Sequence, residues 1–328
     1  MVAPLRVGIV GCGFIGRKRA ASLPPGSLAL CCDVDLGRAE ALAKPAGALV
    51  TADWREAVAA PNVDALIVAT THDLLAEITT AAARNGKHAI VEKPAALRAS
   101  ELDAALEASR ATGVSVRVGF NHRYHRAFRQ ARRIVDAGEL GVLTHCRARY
   151  GHGGRLGYDR EWRAVPALSG GGEAIDQGMH VIDLARWFLG EFVDVYGFAE
   201  TYFWDMPVED NAFLLLRTAD RRVASLHASW TEWKNTFSFE LYGRVGKLEI
   251  SGLGGSYGTE KLAHYKMLPE LGPPETLVYE YPMADDSWEA EYAAFAADVA
   301  ARREPDAGLA DAQAALRVVE RLYAANRP

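Results

Sequence analysis

With 328 residues, 49% of them hydrophobic and 24% charged, the chain has an ordinary globular composition and enough length for two domains, each with its own core. A net charge of −5 provides no basic footprint for nucleic acid or an anionic membrane surface. No apolar run approaches membrane-spanning length and no signal-peptide pattern precedes the first strand, so the cytoplasm is the expected location.

The first predicted element is Leu5-Arg-Val-Gly-Ile-Val10, an apolar run suited to a buried parallel strand. Gly11-Cys-Gly-Phe-Ile-Gly16 follows it directly, and a helix is expected over residues 17–23. Glycines there allow a tight turn and close backbone approach to a pyrophosphate, whose charge the helix N-terminus meets. Gly11, Gly13, Phe14, Ile15 and Gly16 are therefore candidate cofactor contacts. A second strand, residues 28–32, ends in Asp33, about 20 residues past the motif, where a carboxylate would accept from the ribose hydroxyls. It would also repel a 2′-phosphate. Asp35 adds negative charge and Arg38 is the one close cation, so NAD is favoured over NADP.

Strand-like and helical runs then alternate, the mark of a parallel sheet. A strand over residues 63–71 leads to a helix over 74–85 closed by Gly86. The next strand, 88–91, runs into Glu92-Lys93-Pro94. Lys93 thus stands at the carboxyl edge of a buried strand, where a cofactor's reactive ring would lie. A helix over 100–112, a strand over 114–120 and a helix over 124–136 follow, and a domain boundary is expected at residues 122/123. Beyond it, residues 143–150, 192–203, 211–218, 222–230, 236–242 and 247–250 read as strands of an antiparallel or mixed sheet. One helix is expected around residues 172–189. Helices over 288–302 and after 310 are candidates to pack back on the first domain.

The inserted helix carries a second constellation. Asp176 and His180 are four apart, which places them on one helical face, with Asp183 a turn later. A carboxylate beside an imidazole raises its proton affinity and fixes its orientation, which suits a general base. Such a pair also serves as a structural contact; three glycines just before it let the backbone approach a ligand. The four cysteines, Cys12, Cys31, Cys32 and Cys146, have no metal-ligand spacing and read as buried thiols of a reducing compartment; no metal site is expected.

Taken together, Gly11-Cys-Gly-Phe-Ile-Gly16, Glu92-Lys93-Pro94 and Gly170-Gly-Gly-x-x-x-Asp176-x-Gly-x-His180-x-x-Asp183 resemble the glucose–fructose oxidoreductase/inositol dehydrogenase/MocA (Gfo/Idh/MocA) family over nearly the whole chain. The resemblance implies an α/β protein. An N-terminal Rossmann domain, residues 1–122, would bind NAD(P). A C-terminal α+β domain, residues 123–328, would carry a large open, mostly antiparallel sheet forming the substrate pocket and an oligomer interface. It also implies that Lys93 contacts the reacting hydroxyl and the nicotinamide side, that Asp176 completes the set, and that His180 accepts the proton. Thr70-Thr71-His72 corresponds to a loop that lines the nicotinamide ribose, although Thr71 replaces a usual proline and Leu75 a common histidine. Glu92 joins the candidate cofactor residues.

For the substrate, Asn121 and Arg123 follow a strand at the same sheet edge as Lys93. His152, Arg155 and Tyr158 sit in a glycine-rich loop that either wraps a polyhydroxylated ligand or is a plain surface connection. The expected activity is NAD-dependent oxidation of a secondary hydroxyl on a cyclitol, sugar or nucleotide sugar, in a homodimer or homotetramer without nucleic-acid or membrane partners. A non-catalytic dinucleotide sensor or assembly subunit, or an NAD-dependent glycosidase acting by transient oxidation, are the alternatives.

Overall fold

The computed structural model describes residues 4–270 and 272–326. The chain divides into two compact units. One is residues up to Phe120 together with Trp288–Gln313; the other is Asn121–Ser287 together with residues from Ala314 onward.

The first unit alternates strand and helix: β1 (Val7–Val10), α1 (Phe14–Ala21), β2 (Leu28–Cys32), α2 (Leu36–Ala43), β3 (Leu49–Thr51), α3 (Trp54–Ala59), β4 (Ala65–Val68), α4 (His72–Arg84), β5 (His88–Val91), α5 (Asp103–Thr112) and β6 (Val116–Val118). All pairings are parallel and the strand order is β3-β2-β1-β4-β5-β6. β1, β4 and the inner end of β5 are fully buried, which is why they read as unbroken apolar runs. Strand β3, three residues with only partial burial, carries too little signal to be expected from sequence. Chain order reverses between β1 and β4, so the carboxyl ends of these two strands form the crevice where a doubly wound sheet takes its ligand.

The second unit continues with α6 (Arg126–Asp136), β7 (Leu143–Gly151), α7 (Pro166–Ser169) and α8 (Gly178–Leu189). It then runs through β8 (Phe192–Glu200), β9 (Asn211–Thr218), β10 (Val223–Ser229), β11 (Thr236–Gly243), β12 (Gly246–Ser251), β13 (Glu260–Lys266) and β14 (Glu275–Tyr281). The sheet order is β14-β13-β12-β11-β7-β10-β9-β8. Every neighbour is antiparallel except β7 and β10, which run parallel. One face is core, with Ala148, Leu214, Leu226, Phe237, Phe239 and Leu248 beneath α6 and α8. The other alternates outward: Tyr196, Phe198, Phe213 and Leu215 on β8 and β9, then a charged patch of Arg147, Glu240 and Lys247 across β7, β11 and β12.

Three expectations are corrected here. No single helix spans 172–189: α7 ends at Ser169 with Gly170 as its C-cap, residues 173–177 are turns, and α8 begins only at Gly178. The strand expected over 192–203 stops at Glu200, because the Asp210 carboxylate draws the backbone N–H groups of Tyr202, Phe203 and Trp204 into a loop. The second sheet also has two more strands, β13 and β14, than the six expected.

The chain finishes with α9 (Ser287–Ala301) and α10 (Leu309–Ala325). Residues 288–313 belong to the first unit for a concrete reason: they neutralise its buried cations. Arg19 is ion-paired to Glu92 (2.6 Å) and to Glu291, and Arg117 to Asp298 (2.6 Å). The N–H of Val118 also donates to the carbonyl of Ala307 at 2.8 Å.

Candidate active site

In the first unit the glycine turn is fixed by contact rather than by capping. Gly11 has φ +94°, and a side chain there would collide with the carbonyl of Ala69, so only glycine lets the ends of β1 and β4 come this close. Gly13 is the N-cap of α1 and has no side-chain cap; a Cβ built on it meets nothing within 4 Å. The space beside the N-cap of α1 is therefore open, and an anion at a helix N-terminus requires such room. At the end of β2 the Asp33 carboxylate accepts from the N–H of Cys12 (2.7 Å) and of Asp35 (2.9 Å), tying this acid to the glycine turn. Arg38 is paired to Asp35 at 3.1 Å. These residues fit a dinucleotide, and the commitment of Arg38 to Asp35 fits one without a 2′-phosphate.

The rest of the predicted cofactor set lies along the same edge. Phe14 is exposed and carries the Lys18 ammonium 5.0 Å from its ring centre, while Ile15 is half-buried. The Thr70 hydroxyl donates to the carbonyl of Thr71, which is the N-cap of α4; His72 opens that helix and is buried. After β5, the Glu92 N–H is bonded to Val68 and its carboxylate to Arg19. Lys93 follows, half-buried, joined to Pro94 by a cis peptide.

The second unit assembles the other cluster from three places in the chain. Asp176 sits on the turn ahead of α8, not on the helix, so it and His180 do not share a helical face as expected. The turn is held from below. The Glu209 carboxylate accepts from the N–H of Gly172 (3.0 Å), the N–H of Ala174 (3.0 Å) and the Tyr323 hydroxyl (2.6 Å), and its carbonyl accepts from the N–H of Glu173. A side chain at Gly172 would collide with that carbonyl. Burial pushes the Glu209 carboxyl above the usual carboxylate range, and its three donors pull it back. Asp176 accepts from Nε of Arg163 at 2.8 Å. His180, inside α8, stacks face to face on His122 with ring centres 3.8 Å apart. Asp183 is locked by a two-point ion pair with Arg123, at 2.8 and 2.6 Å.

Around this cluster the structure sorts the predicted substrate residues. His152 and Tyr158 belong to it: both feel the Asp176 charge, burial lowers the His152 imidazole, and burial raises the Tyr158 hydroxyl so that it stays protonated. The Tyr158 ring packs edge-on against Trp230 at 4.9 Å. Arg155 points outward and pairs with Glu161. Arg123 is buried in its pair with Asp183, and the Asn121 amide donates to Ser287 at 2.9 Å. Sequence reading missed Arg163, Glu209, Tyr150 and Tyr257. Tyr150 is buried, packs against His122 and His180 at 5.2 and 6.1 Å, and shares a hydrogen bond with Tyr257. Among the described residues no group of three or more His, Cys, Asp or Glu side chains could hold a metal ion, and no helix is long and apolar enough to cross a membrane.

Residues 5–120 match the family described as an oxidoreductase family with an NAD-binding Rossmann fold, and residues 128–249 match the GFO/IDH/MocA C-terminal domain. The scyllo-inositol 2-dehydrogenase (NAD(+)) of Bacillus subtilis is 30% identical over 296 residues, 84% of this chain and 80% of its own length. The levoglucosan dehydrogenase of Pseudarthrobacter phenanthrenivorans is 28% identical over 284 residues, 74% of this chain and 73% of its own. A solved levoglucosan dehydrogenase in complex with NADH and levoglucosan superposes with a TM-score of 0.86 at 24% identity, covering 98% of each chain, a likeness of fold.

Proposed function

This chain belongs to the Gfo/Idh/MocA oxidoreductase family and is an NAD-dependent enzyme, and from that premise we propose that it oxidises a secondary hydroxyl of a cyclitol, sugar or nucleotide sugar. The observation that carries the reading is the buried cluster around α8. Asp176 held by Arg163, His180 held by a second ring, and the protonated hydroxyls of Tyr150 and Tyr158 make a surface of directional polar groups suited to several hydroxyls at once.

NAD supplies the hydride acceptor when bound. The amides at the start of α1 hold its pyrophosphate, and Asp33 accepts from its ribose hydroxyls. Thr70, Thr71, His72 and Glu92 border it from the ends of β4 and β5. His180 takes the proton of the reacting hydroxyl as general base, and the Lys93 ammonium stabilises the alkoxide that develops. Asp176, turned by Arg163, accepts from a neighbouring hydroxyl, and His152 and Tyr158 add further contacts. Neither Tyr150 nor Tyr158 is poised to remove a proton, since burial raises both hydroxyls. That disfavours the elimination step a glycosidase would add. The four free, buried thiols support a reducing compartment, and the cytoplasm is the proposed location. The apolar strip on β8 and β9 is proposed to pair with a second copy.

The test is NAD reduction followed by absorbance with inositols, levoglucosan, aldoses, sugar phosphates and UDP-sugars, using the wild type and His180→Ala. A substrate turned over by the wild type and not by the variant supports the reading. Undiminished turnover in the variant removes His180 from its role.

A further inference from the structure

We infer that His122, a residue outside the catalytic set, is a positioning residue that holds the His180 ring by face-to-face stacking and limits the pair of imidazoles to one proton. This rests on the proposed role of His180 as the base.

The geometry is specific. The two rings lie 3.8 Å apart at 25°, a true stack, whereas the other rings around His122 approach at an angle: Tyr150 at 5.2 Å and 56°, His125 at 5.5 Å and 66°, Phe237 at 5.9 Å and 55°. His122 is thus flanked by aromatic rings, with His180 stacked on one face. Its orientation is set by a relay. Asn121 donates from Nδ2 to Ser287 at 2.9 Å, which turns its carbonyl oxygen to His122 Nδ1 at 3.2 Å. A proton on Nδ1 satisfies that contact with a neutral ring. The backbones carrying the two imidazoles are fastened beside the stack, because Arg123, next to His122, pairs with Asp183, three residues past His180.

A base must be neutral to accept a proton, and its ring plane must be fixed for the transfer to be aligned. A stacked neutral imidazole supplies the plane. It also couples the two titrations, since a charge on either ring disfavours a charge on the other. Several other ionisable groups lie nearby. Tyr150 stays protonated by burial, with Tyr257, Glu173 and Asp176 around it. Asp176 is paired to Arg163 and Asp183 to Arg123. His125 faces Glu260 at 3.3 Å and Asp285 at 3.8 Å.

The experiment is a histidine-labelled NMR titration of the full chain, with the His180 resonance identified by its loss in His180→Ala. His122→Phe keeps a ring in the stack and removes its titration. The His180 midpoint should rise by about one pH unit in that variant, as release from a coupled partner requires. A superimposable or downward-shifted curve overturns the inference. With a substrate from the panel, His122→Ala should lower kcat by about tenfold or more with little change in the KM for NAD, while His122→Phe keeps most of kcat. Equal kcat in all three proteins also overturns it. If the midpoint moves but His180→Ala still turns over substrate, the stack stands and the role of His180 as base falls. If His180→Ala is inactive and the midpoint does not move, only the inference about His122 falls.

Discussion

Single residues carry the parts of the chemistry that can be separated by substitution. Asp33 holds the N–H groups of Cys12 and Asp35, and its proposed second duty is to accept from the ribose hydroxyls. Asp33→Ala should therefore weaken NADH binding by about ten- to a hundredfold, the worth of one or two charge-assisted hydrogen bonds, and alter NADPH binding much less. Fluorescence titration with both nucleotides decides this; equal losses would mean that the glycine turn, not the ribose, had been disturbed. Lys93 is different, because it is assigned to the reacting oxygen. Lys93→Ala should cut turnover by about a hundredfold or more and leave the NADH dissociation constant nearly unchanged. A variant that merely needs more substrate would refute the assignment.

At the scale of elements, the turn before α8 is the decisive piece. It was legible as glycines followed by Asp176, His180 and Asp183, but not as a turn, because an i, i+4 spacing of polar residues looks the same on a helix and across its first bend. What holds the turn was not legible at all. Glu209 and Tyr323 come from 37 and 151 positions beyond Gly172 (209 − 172 and 323 − 172), and no local pattern links them. Arg163, likewise, is one arginine in a loop until the fold sets it against Asp176. The parallel strands were easier, since burial on both faces makes β1, β4 and β5 continuous apolar runs. Strand β14 is mostly exposed and sits at the sheet edge, which leaves it almost no hydrophobic pattern. The turn offers its own prediction. Glu209→Gln places an NH2 group where only donors point, leaving at least one buried donor unmatched, and should lower stability by about 1–3 kcal/mol in urea unfolding. An unchanged midpoint would mean that the native carboxyl is protonated and already donates.

At the scale of the whole molecule, the outer face of the eight-stranded sheet is divided. Its β8–β9 end presents Tyr196, Phe198, Phe213 and Leu215, and its centre presents paired charges. This apolar strip is the surface proposed to pair with a second copy. Leu215→Glu should shift the sedimenting species toward monomer without changing the secondary structure seen by circular dichroism. A wild type that sediments as a monomer would remove the proposed assembly.

On the ribosome, the cofactor-binding half begins to emerge first but is not finished until every strand of the other unit has been made. Residues up to Phe120 contain Arg19 and Arg117, yet Glu291 and Asp298, which neutralise them, lie beyond every strand of the other unit. In a chain stalled before residue 288, Arg19 keeps only Glu92 of its two carboxylates and Arg117 lacks Asp298. Removing one carboxylate from a buried ion pair destabilises a fold by about 3–5 kcal/mol. Such a nascent chain should remain protease-sensitive through its first 120 residues and should retain no NADH. Supplying residues 286–313 through a linker after residue 120 should restore both properties, so a working nucleotide-binding fragment of this protein has to be cut from two places in the sequence.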